Sequence, residues 1–184
     1  MASVGKLFTS VVVGLLHEKG YLSFEDCIAE YLDSELMDGL HVYRGKDYSS
    51  EIQIRHLLNQ SSGLPDNFYP LFDKLLADHD FDIRPREAVM WAKDNLAPSA
   101  APGRKSYYTD TNYHLLGLIV EKVSGEPFPA VLKRLVFDPV GMKHATRGPA
   151  SVHEGACKRK VGDSCDRCVL VLPSGTGRVL HWKF

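Results

Sequence analysis

The first 19 residues predict a helix that needs cover on most of its circumference. Apolar side chains follow one another from Leu7 to Leu16 with few interruptions, and they point nearly all round a helix that starts at Val4. Such a helix is normally central in a fold. Gly20 is a typical helix-ending residue, and Lys19 places positive charge in the last turn. We therefore predict a central helix from Val4 to about Lys19.

Ser3 and Lys6 lie at the start of this helix, one turn apart, so the lysine amine is within reach of the serine hydroxyl. A serine hydroxyl becomes a good nucleophile when a neighbouring base takes its proton, and a buried, neutral lysine is such a base. Unpaired N–H groups at a helix N-terminus also stabilise an oxyanion. The pair is therefore suited to acyl transfer.

The same motif has a simpler interpretation. With 14 Ser and 12 Lys in 184 residues, chance alone gives about one Ser-x-x-Lys. Ser3 is then an N-cap and Lys6 a solvated side chain. The motif by itself does not decide between the two.

Composition excludes several classes of function. A chain of 184 residues that is 44% hydrophobic and 24% charged is typical of a globular domain, and a net charge of -1 gives no reason to expect nucleic acid or an anionic membrane as a partner. The longest apolar run, Leu7 to Leu16, is too short to span a bilayer. No signal-peptide cleavage site follows it, so the default expectation is a reducing, cytoplasmic compartment.

Helical periodicity recurs along the chain to residue 136. The further predicted helices cover Leu22–Leu32, Ile52–Gln60, Phe68–Asp78, Pro85–Asn95, His114–Val123 and Phe128–Val136. Thr109 or Asp110 is the predicted cap of the fifth, and residues 43–47 form a loop or a weak hairpin. His56 is predicted to be a capping or core histidine rather than a catalytic base.

After Ala145 the sequence becomes polar, rich in Gly, Lys and Cys, and loses its regular apolar spacing. We therefore predict two regions, 1–146 and a divergent tail over 147–184. Two tail segments, Cys168–Pro173 and Arg178–Trp182, are predicted strands. The tail also holds side chains of types that bind zinc, namely His153, Cys157, Cys165 and Cys168. Because one pair alone has the usual spacing, free thiols in a disordered tail are the competing interpretation, and we assign no metal site.

Five stretches in order resemble the serine β-lactamase and D-alanyl-D-alanine carboxypeptidase family, in its class C-related branch that includes esterases and D-aminopeptidases. They are Ala2-Ser3-Val4-Gly5-Lys6-Leu7-Phe8-Thr9, the segment 18–26, Ile54-Arg55-His56-Leu57-Leu58-Asn59-Gln60-Ser61-Ser62-Gly63-Leu64-Pro65, Tyr108-Thr109-Asp110-Thr111-Asn112-Tyr113-His114-Leu115-Leu116-Gly117 and Phe137-Asp138-Pro139-Val140-Gly141-Met142. The resemblance covers residues 2 to about 146.

The resemblance implies a role for four residues. Ser3 is the acylated nucleophile, Lys6 its partner in proton transfer, and Tyr108 the tyrosine of a Tyr-x-Asn motif that passes the proton to the leaving group. Asp110 stands where that motif has asparagine, a position that helps to hold the substrate. A carboxylate within reach of Lys6 favours the ammonium form. The alternatives are that Tyr108 is an aromatic staple and that Asp110 merely caps the following helix.

The family's third element, Lys-Thr-Gly or His-x-Gly on a sheet strand, is not found after Tyr108; Gly175-Thr176-Gly177 is interpreted as a turn. The expected fold class is therefore mainly α, the helical lobe of the α+β β-lactamase/transpeptidase-like fold. We expect it to be truncated, with little or no catalytic sheet and an irregular tail that holds a short β-hairpin.

The resemblance predicts a serine hydrolase that acts through an acyl-enzyme on a β-lactam, a D-amino peptide or an ester, without cofactor or metal. Missing strands predict weak or incomplete activity. The alternative is a non-catalytic remnant or interaction module, in which a protein partner covers apolar helix faces that lack a sheet.

Overall fold

The computed structural model describes residues 3–78, 81–142, 168–171 and 179–182. The helices are α1 (Val4–Glu18), α2 (Ser34–Met37), α3 (Ile54–Leu58), α4 (Phe68–Ala77), α5 (Pro85–Asn95), α6 (Asp110–Ser124) and α7 (Phe128–Leu132), and the strands are β1 (Val42–Tyr43), β2 (Lys46–Asp47), β3 (Cys168–Val171) and β4 (Val179–Trp182). The strands form two antiparallel pairs, β1–β2 and β3–β4. The predicted mainly α architecture is confirmed.

The core lies where α1 and α6 pack together with α3, α5 and α7. Val12 and Val13 of α1 and Leu115 and Ile119 of α6 are fully buried. Helix α6 contacts the four other helices of the core, α1, α3, α5 and α7. That placement brings the start of α1 and the segment before α6 to the same end of the core.

Helix α1 confirms the predicted central helix over nearly its full length. Gly20 has a φ of 73°, the left-handed conformation that ends many helices and that glycine adopts without a Cβ clash. On the side of α1 away from the core, three apolar side chains one turn apart are exposed: Val4 by 40%, Leu7 by 62% and Val11 by 41%. We call these three residues the α1 stripe.

The predicted helix over Leu22–Leu32 is wrong. Residues 28–30 form one 3-10 turn, and Cys27 instead pairs with Gln53 in an antiparallel bridge. The backbone of this segment bonds instead to the residues before and at the start of α3: the Ile28 N–H donates to the Ile52 carbonyl at 2.9 Å, and the Asp26 carbonyl accepts the Ile54 N–H at 3.1 Å. Backbone groups that bond to a distant segment in this way are not free to form the hydrogen bonds of a helix.

The other predicted helices are present with shifted ends. Helix α6 begins at Asp110, one turn before the predicted His114, and the helix from Phe128 continues beyond Leu132 as a π-helical turn over Lys133–Phe137. The short α2 is a helix that the sequence pattern did not predict.

Of the two alternatives for residues 43–47, a loop or a weak hairpin, the structure shows the hairpin, and the hairpin predicted in the tail is confirmed. Arg44 and Gly45 have positive φ angles of 51° and 80°, as a two-residue turn between β1 and β2 requires. In the tail, β3 and β4 pair in a register that sets Cys168 opposite Trp182. The other candidate zinc ligands, His153, Cys157 and Cys165, lie outside the described residues. No helix in the described part of the chain is long and apolar enough to cross a membrane.

Candidate active site

Ser3 lies at the N-cap position of α1, but its side chain makes no capping hydrogen bond. Its Oγ instead accepts a hydrogen bond of 2.9 Å from the Tyr108 hydroxyl. The two residues are 105 positions apart in the chain, so the contact is set by the packing of α1 against α6. The structure therefore brings the proposed nucleophile and the proposed tyrosine together at an exposed position.

Lys6 extends from the next turn of α1 towards the start of α6. Its Nζ lies 2.5 Å from Oδ1 of Asp110, and the two side chains are 14% and 22% exposed. The same Nζ lies 4.8 Å from the ring centre of Tyr108 and 5.7 Å from that of Tyr113. Lys6 is thus not a solvated side chain. We call Ser3, Lys6, Tyr108 and Asp110 the Ser3 cluster.

The surroundings of Lys6 decide its charge. Burial lowers the pKa of its amine, but hydrogen bonds to Asp110 and Tyr108, together with their negative electrostatic influence, outweigh burial and raise that pKa above its usual value. A lysine in this setting carries its proton at neutral pH. The sequence-based expectation that a carboxylate beside Lys6 favours the ammonium agrees with this arrangement.

Gln60 holds the segment that carries Tyr108 with two hydrogen bonds, one to its backbone and one to its side chain. The Gln60 carbonyl accepts the N–H of Tyr107 at 2.9 Å, and its side-chain Oε1 accepts the N–H of Thr109 at 3.0 Å. Gln60 itself has a φ of 63°, a left-handed conformation that costs a non-glycine residue about 1–2 kcal/mol. This conformation turns the backbone and the side chain of one residue towards the same neighbouring segment.

The start of α6 is capped by Thr109 and not by Asp110. The Thr109 hydroxyl accepts the N–H of Thr111 at 3.1 Å, and Asp66 accepts the N–H of Asp110 at 3.0 Å. The hydroxyls of Thr109 and Thr111 both donate to the carbonyl of Pro65. The Asp110 side chain is therefore left to pair with Lys6.

A second polar group lies directly behind this segment. Asn112 donates to Oε1 of Gln60 at 2.7 Å and accepts from the hydroxyl of Ser62 at 2.6 Å, and both Asn112 and Ser62 are fully buried. We call Gln60, Ser62, Thr109 and Asn112 the Gln60 junction. None of these four residues was predicted to take part in the site, although all four lie in the stretches that carry the family resemblance.

Gly63 and His41 pack against this junction. Gly63 has a φ of 78°, and a Cβ at this position would lie 2.0 Å from the Ala100 carbonyl oxygen. His41 is fully buried, and in the described part of the chain neither of its ring nitrogens has a hydrogen bond of good geometry. Burial lowers the pKa of His41, against a weaker opposing influence of the backbone near Ala100 and Ser62.

His56 has the capping role that the sequence predicts. Its Nδ1 accepts the N–H of Gln53 at 3.1 Å at the start of α3. Burial first, and then the nearby charge of Arg55, lower the pKa of its ring. This hydrogen bond caps the N-terminus of α3, so His56 is not part of the Ser3 cluster.

Comparison with known proteins identifies the class that this fold and site define. The β-lactamase family model matches residues 1–161, and the chain belongs to the β-lactamase family. It is 33% identical over 145 residues to a penicillin-binding protein of Bacillus subtilis, covering 77% of this chain and 29% of that protein. It is 29% identical over 151 residues to a putative D-alanyl-D-alanine carboxypeptidase of Escherichia coli O157:H7, covering 81% and 33%.

Solved structures agree with this assignment. A D-stereospecific amidohydrolase from Streptomyces superposes with a TM-score of 0.67 at 25% identity, over 76% of this chain and 41% of that one. An octameric penicillin-binding protein homologue from Pyrococcus abyssi gives a TM-score of 0.68 at 26% identity, over 100% and 38%. The chain spans about a third of the length of the curated relatives, 29% and 33%. It therefore corresponds to part of the larger fold, and that part is mainly helical.

Proposed function

We propose that the chain carries the nucleophile of a serine acyl hydrolase and that Ser3 is its acylated residue. The observation that carries this proposal is the 2.9 Å hydrogen bond between Tyr108 and Ser3, with Lys6 beside the same tyrosine ring. Membership of the β-lactamase family supports it. The substrate classes we propose are β-lactams and D-amino amides or peptides, in line with the names of the relatives, and small esters, which the family resemblance implies.

The proposed chemistry needs one proton to move twice. Oγ of Ser3 attacks the carbonyl carbon of the substrate, and its proton passes to the cluster as the carbonyl π electrons move onto oxygen. The same proton then goes to the leaving nitrogen or oxygen as its bond to carbon breaks. Tyr108 is suited to both transfers, because its hydroxyl contacts Oγ and the side chain is 58% exposed to an incoming substrate.

We expect acylation by these 184 residues on their own to be slow. In the part of the chain that the structure describes, both sheets have two strands, and residues 109–184 contain no Lys-Thr-Gly. The strand that would supply the second oxyanion donor is therefore not among the described residues. An oxyanion hole that lacks one donor typically loses about 100-fold to 1,000-fold in rate. Measurable labelling with little turnover is therefore the expected behaviour.

Covalent labelling tests the proposal directly. The folded chain is incubated with a fluorescent penicillin, and separately with a fluorophosphonate, and the modified residue is located by peptide mass spectrometry. We expect modification at Ser3 and its loss in Ser3→Ala. Ser10→Ala is the matched control, because Ser10 lies on the same helix and hydrogen-bonds Tyr113 at 3.1 Å. Folded protein that neither probe modifies at Ser3 would contradict the proposal.

A second candidate function is protein association, favoured by the α1 stripe. Residues 4, 7 and 11 have the spacing of a coiled-coil seam, so we propose a second copy of the chain as the partner that covers them. Light scattering is expected to show a dimer that Leu7→Glu dissociates. Tyr69→Glu is the control, because Tyr69 is 71% exposed on a different helix. A monomer at all concentrations, with high thermal stability, would exclude this function.

A further inference from the structure

The contact between Lys6 and Asp110 joins the two helices that meet at the site. Lys6 belongs to α1 and Asp110 is the first residue of α6, and their charged atoms are 2.5 Å apart. Both side chains are largely shielded, at 14% and 22% exposure. An ion pair shielded to this degree is weakened less by solvent and salt than a surface pair.

The side chains around the Lys6 amine in the described part of the chain favour its charged form. Asp110 supplies a carboxylate, and the rings of Tyr108 and Tyr113 lie 4.8 and 5.7 Å away, within the range at which an aromatic face attracts a cation. Asp66 stands behind them, where it accepts the N–H of Asp110. Burial alone opposes the charge.

We propose that Asp110 is a positioning residue that keeps Lys6 a cation directed at Tyr108. The ionic part of this proposal stands on the contacts alone. Its catalytic meaning rests on the proposed function, since it concerns the route that the Ser3 proton takes. The Asp110 carboxylate then acts through Lys6, since Thr109 and not Asp110 caps α6.

The charge of Lys6 determines which group can accept the Ser3 proton. An ammonium has three N–H bonds and no lone pair, so Lys6 cannot accept the proton of Ser3. The acceptor is then the Tyr108 oxygen, which must first have lost its own proton to solvent. As Oγ–H breaks and the Oγ–carbon bond forms, the charge of Lys6 stabilises the negative charge that Tyr108 and the substrate share.

Ionisation of Lys6 can be measured without any activity. In the full chain labelled with 15N-lysine, the Nζ signal that disappears in Lys6→Arg is followed through a pH titration. Asp110→Asn keeps the shape of the side chain and removes its charge, so we expect the Lys6 midpoint to fall by about one pH unit or more. The matched control is Asp138→Asn, which removes the carboxylate that Lys133 contacts at 2.6 Å.

The control is expected to leave the Lys6 midpoint unchanged. An unchanged midpoint in Asp110→Asn would overturn the proposal. If the wild-type chain is not labelled at Ser3, the proposed function fails, but this titration still decides whether Asp110 holds Lys6 charged.

The catalytic part is tested with two replacements of Lys6. Arginine keeps a permanent charge, whereas methionine keeps the apolar stem alone. We expect Lys6→Arg to retain about a tenth or more of the penicillin labelling rate and Lys6→Met to lose about 100-fold. Equal losses in both variants would show that the lysine acts as a base, and would overturn the proposed route.

Discussion

The Ser3 cluster and the Gln60 junction share the segment from Tyr108 to Asn112, yet they differ in burial and in charge. Tyr108 and Asp110 point to the cluster, where Tyr108 is 58% exposed and the charged pair is partly shielded. Thr109 and Asn112 point to the junction, where Asn112 is fully buried between Gln60 and Ser62. The comparison teaches that one segment can be held rigidly on its buried side and still present reactive groups on the other.

The largest expected effect is that of Tyr108→Phe, which should change the labelling rate and leave the free energy of unfolding nearly unchanged. Tyr108→Phe removes the hydroxyl that contacts Ser3 and nothing in the junction. We expect the rate of penicillin labelling to fall by about 100-fold to 10,000-fold, while the free energy of unfolding changes by less than about 0.5 kcal/mol. Labelling reactions quenched at fixed times give the rate, and urea unfolding gives the free energy of unfolding. A large loss of stability would mean that the cluster is structural after all.

The second-largest expected effect is a loss of stability when Gly63, which packs against the Gln60 junction, is replaced. Gly63→Ala forces a Cβ to within 2.0 Å of the Ala100 carbonyl oxygen, so the backbone must move, and we expect a loss of about 3 kcal/mol or more. Gly125→Ala is the control: its φ is 69° with nothing near the new Cβ, and it should cost about 1–2 kcal/mol. Equal losses in urea unfolding would show that the close approach at Gly63 is relieved cheaply.

Asn112→Ala should have an intermediate effect. The change removes the acceptor of the buried Ser62 O–H, whose oxygen keeps the Leu64 N–H, and one donor to Gln60. A buried donor left without an acceptor costs about 1–3 kcal/mol. The labelling rate should fall no more than the fraction of folded protein does. A much larger loss of labelling in fully folded protein would show that the junction also positions Tyr108 for catalysis.

The smallest expected effect is a pH dependence of stability from His41. Because burial lowers its pKa in the folded state, the unfolded chain binds more protons once the pH falls below about 6.5. The stability is thus complete above that value and declines as the pH falls towards the folded-state pKa. Urea unfolding at about pH 7.5 and about pH 5.5 should show the loss, and His41→Gln should reduce it. The pKa of His56 is also lowered, so part of the loss should remain.

Much of the fold follows from local sequence signals. The apolar residues of α1, Gly20 after it and the Arg44–Gly45 turn each determine their structure within a few residues. The helix over Leu22–Leu32 was predicted wrongly because the backbone of Asp26 and Ile28 bonds to residues 52–54, about 26 positions away in the chain. Periodicity reports burial and is insensitive to such competition.

The site was predictable in part. Family resemblance selected Ser3, Lys6, Tyr108 and Asp110, and the structure brings all four together, whereas their catalytic roles stay predictions. Gln60 was missed because its contribution comes from a left-handed backbone and from partners 49 and 52 residues away. Whether Asp110 caps α6 or pairs with Lys6 depends on tertiary packing, so the sequence left both open.

The capping of α6 also determines where negative charge can be accommodated at this end of the molecule. The N–H groups of Asp110 and Thr111 already donate to Asp66 and Thr109, so the positive end of that helix dipole faces carboxylates of its own chain. Helix α1 differs, because Ser3 makes no capping hydrogen bond at its start. Of the two helix N-termini that meet here, α1 is therefore the one whose N–H groups we expect to be available to an oxyanion, and it is the helix that carries Ser3, the proposed nucleophile.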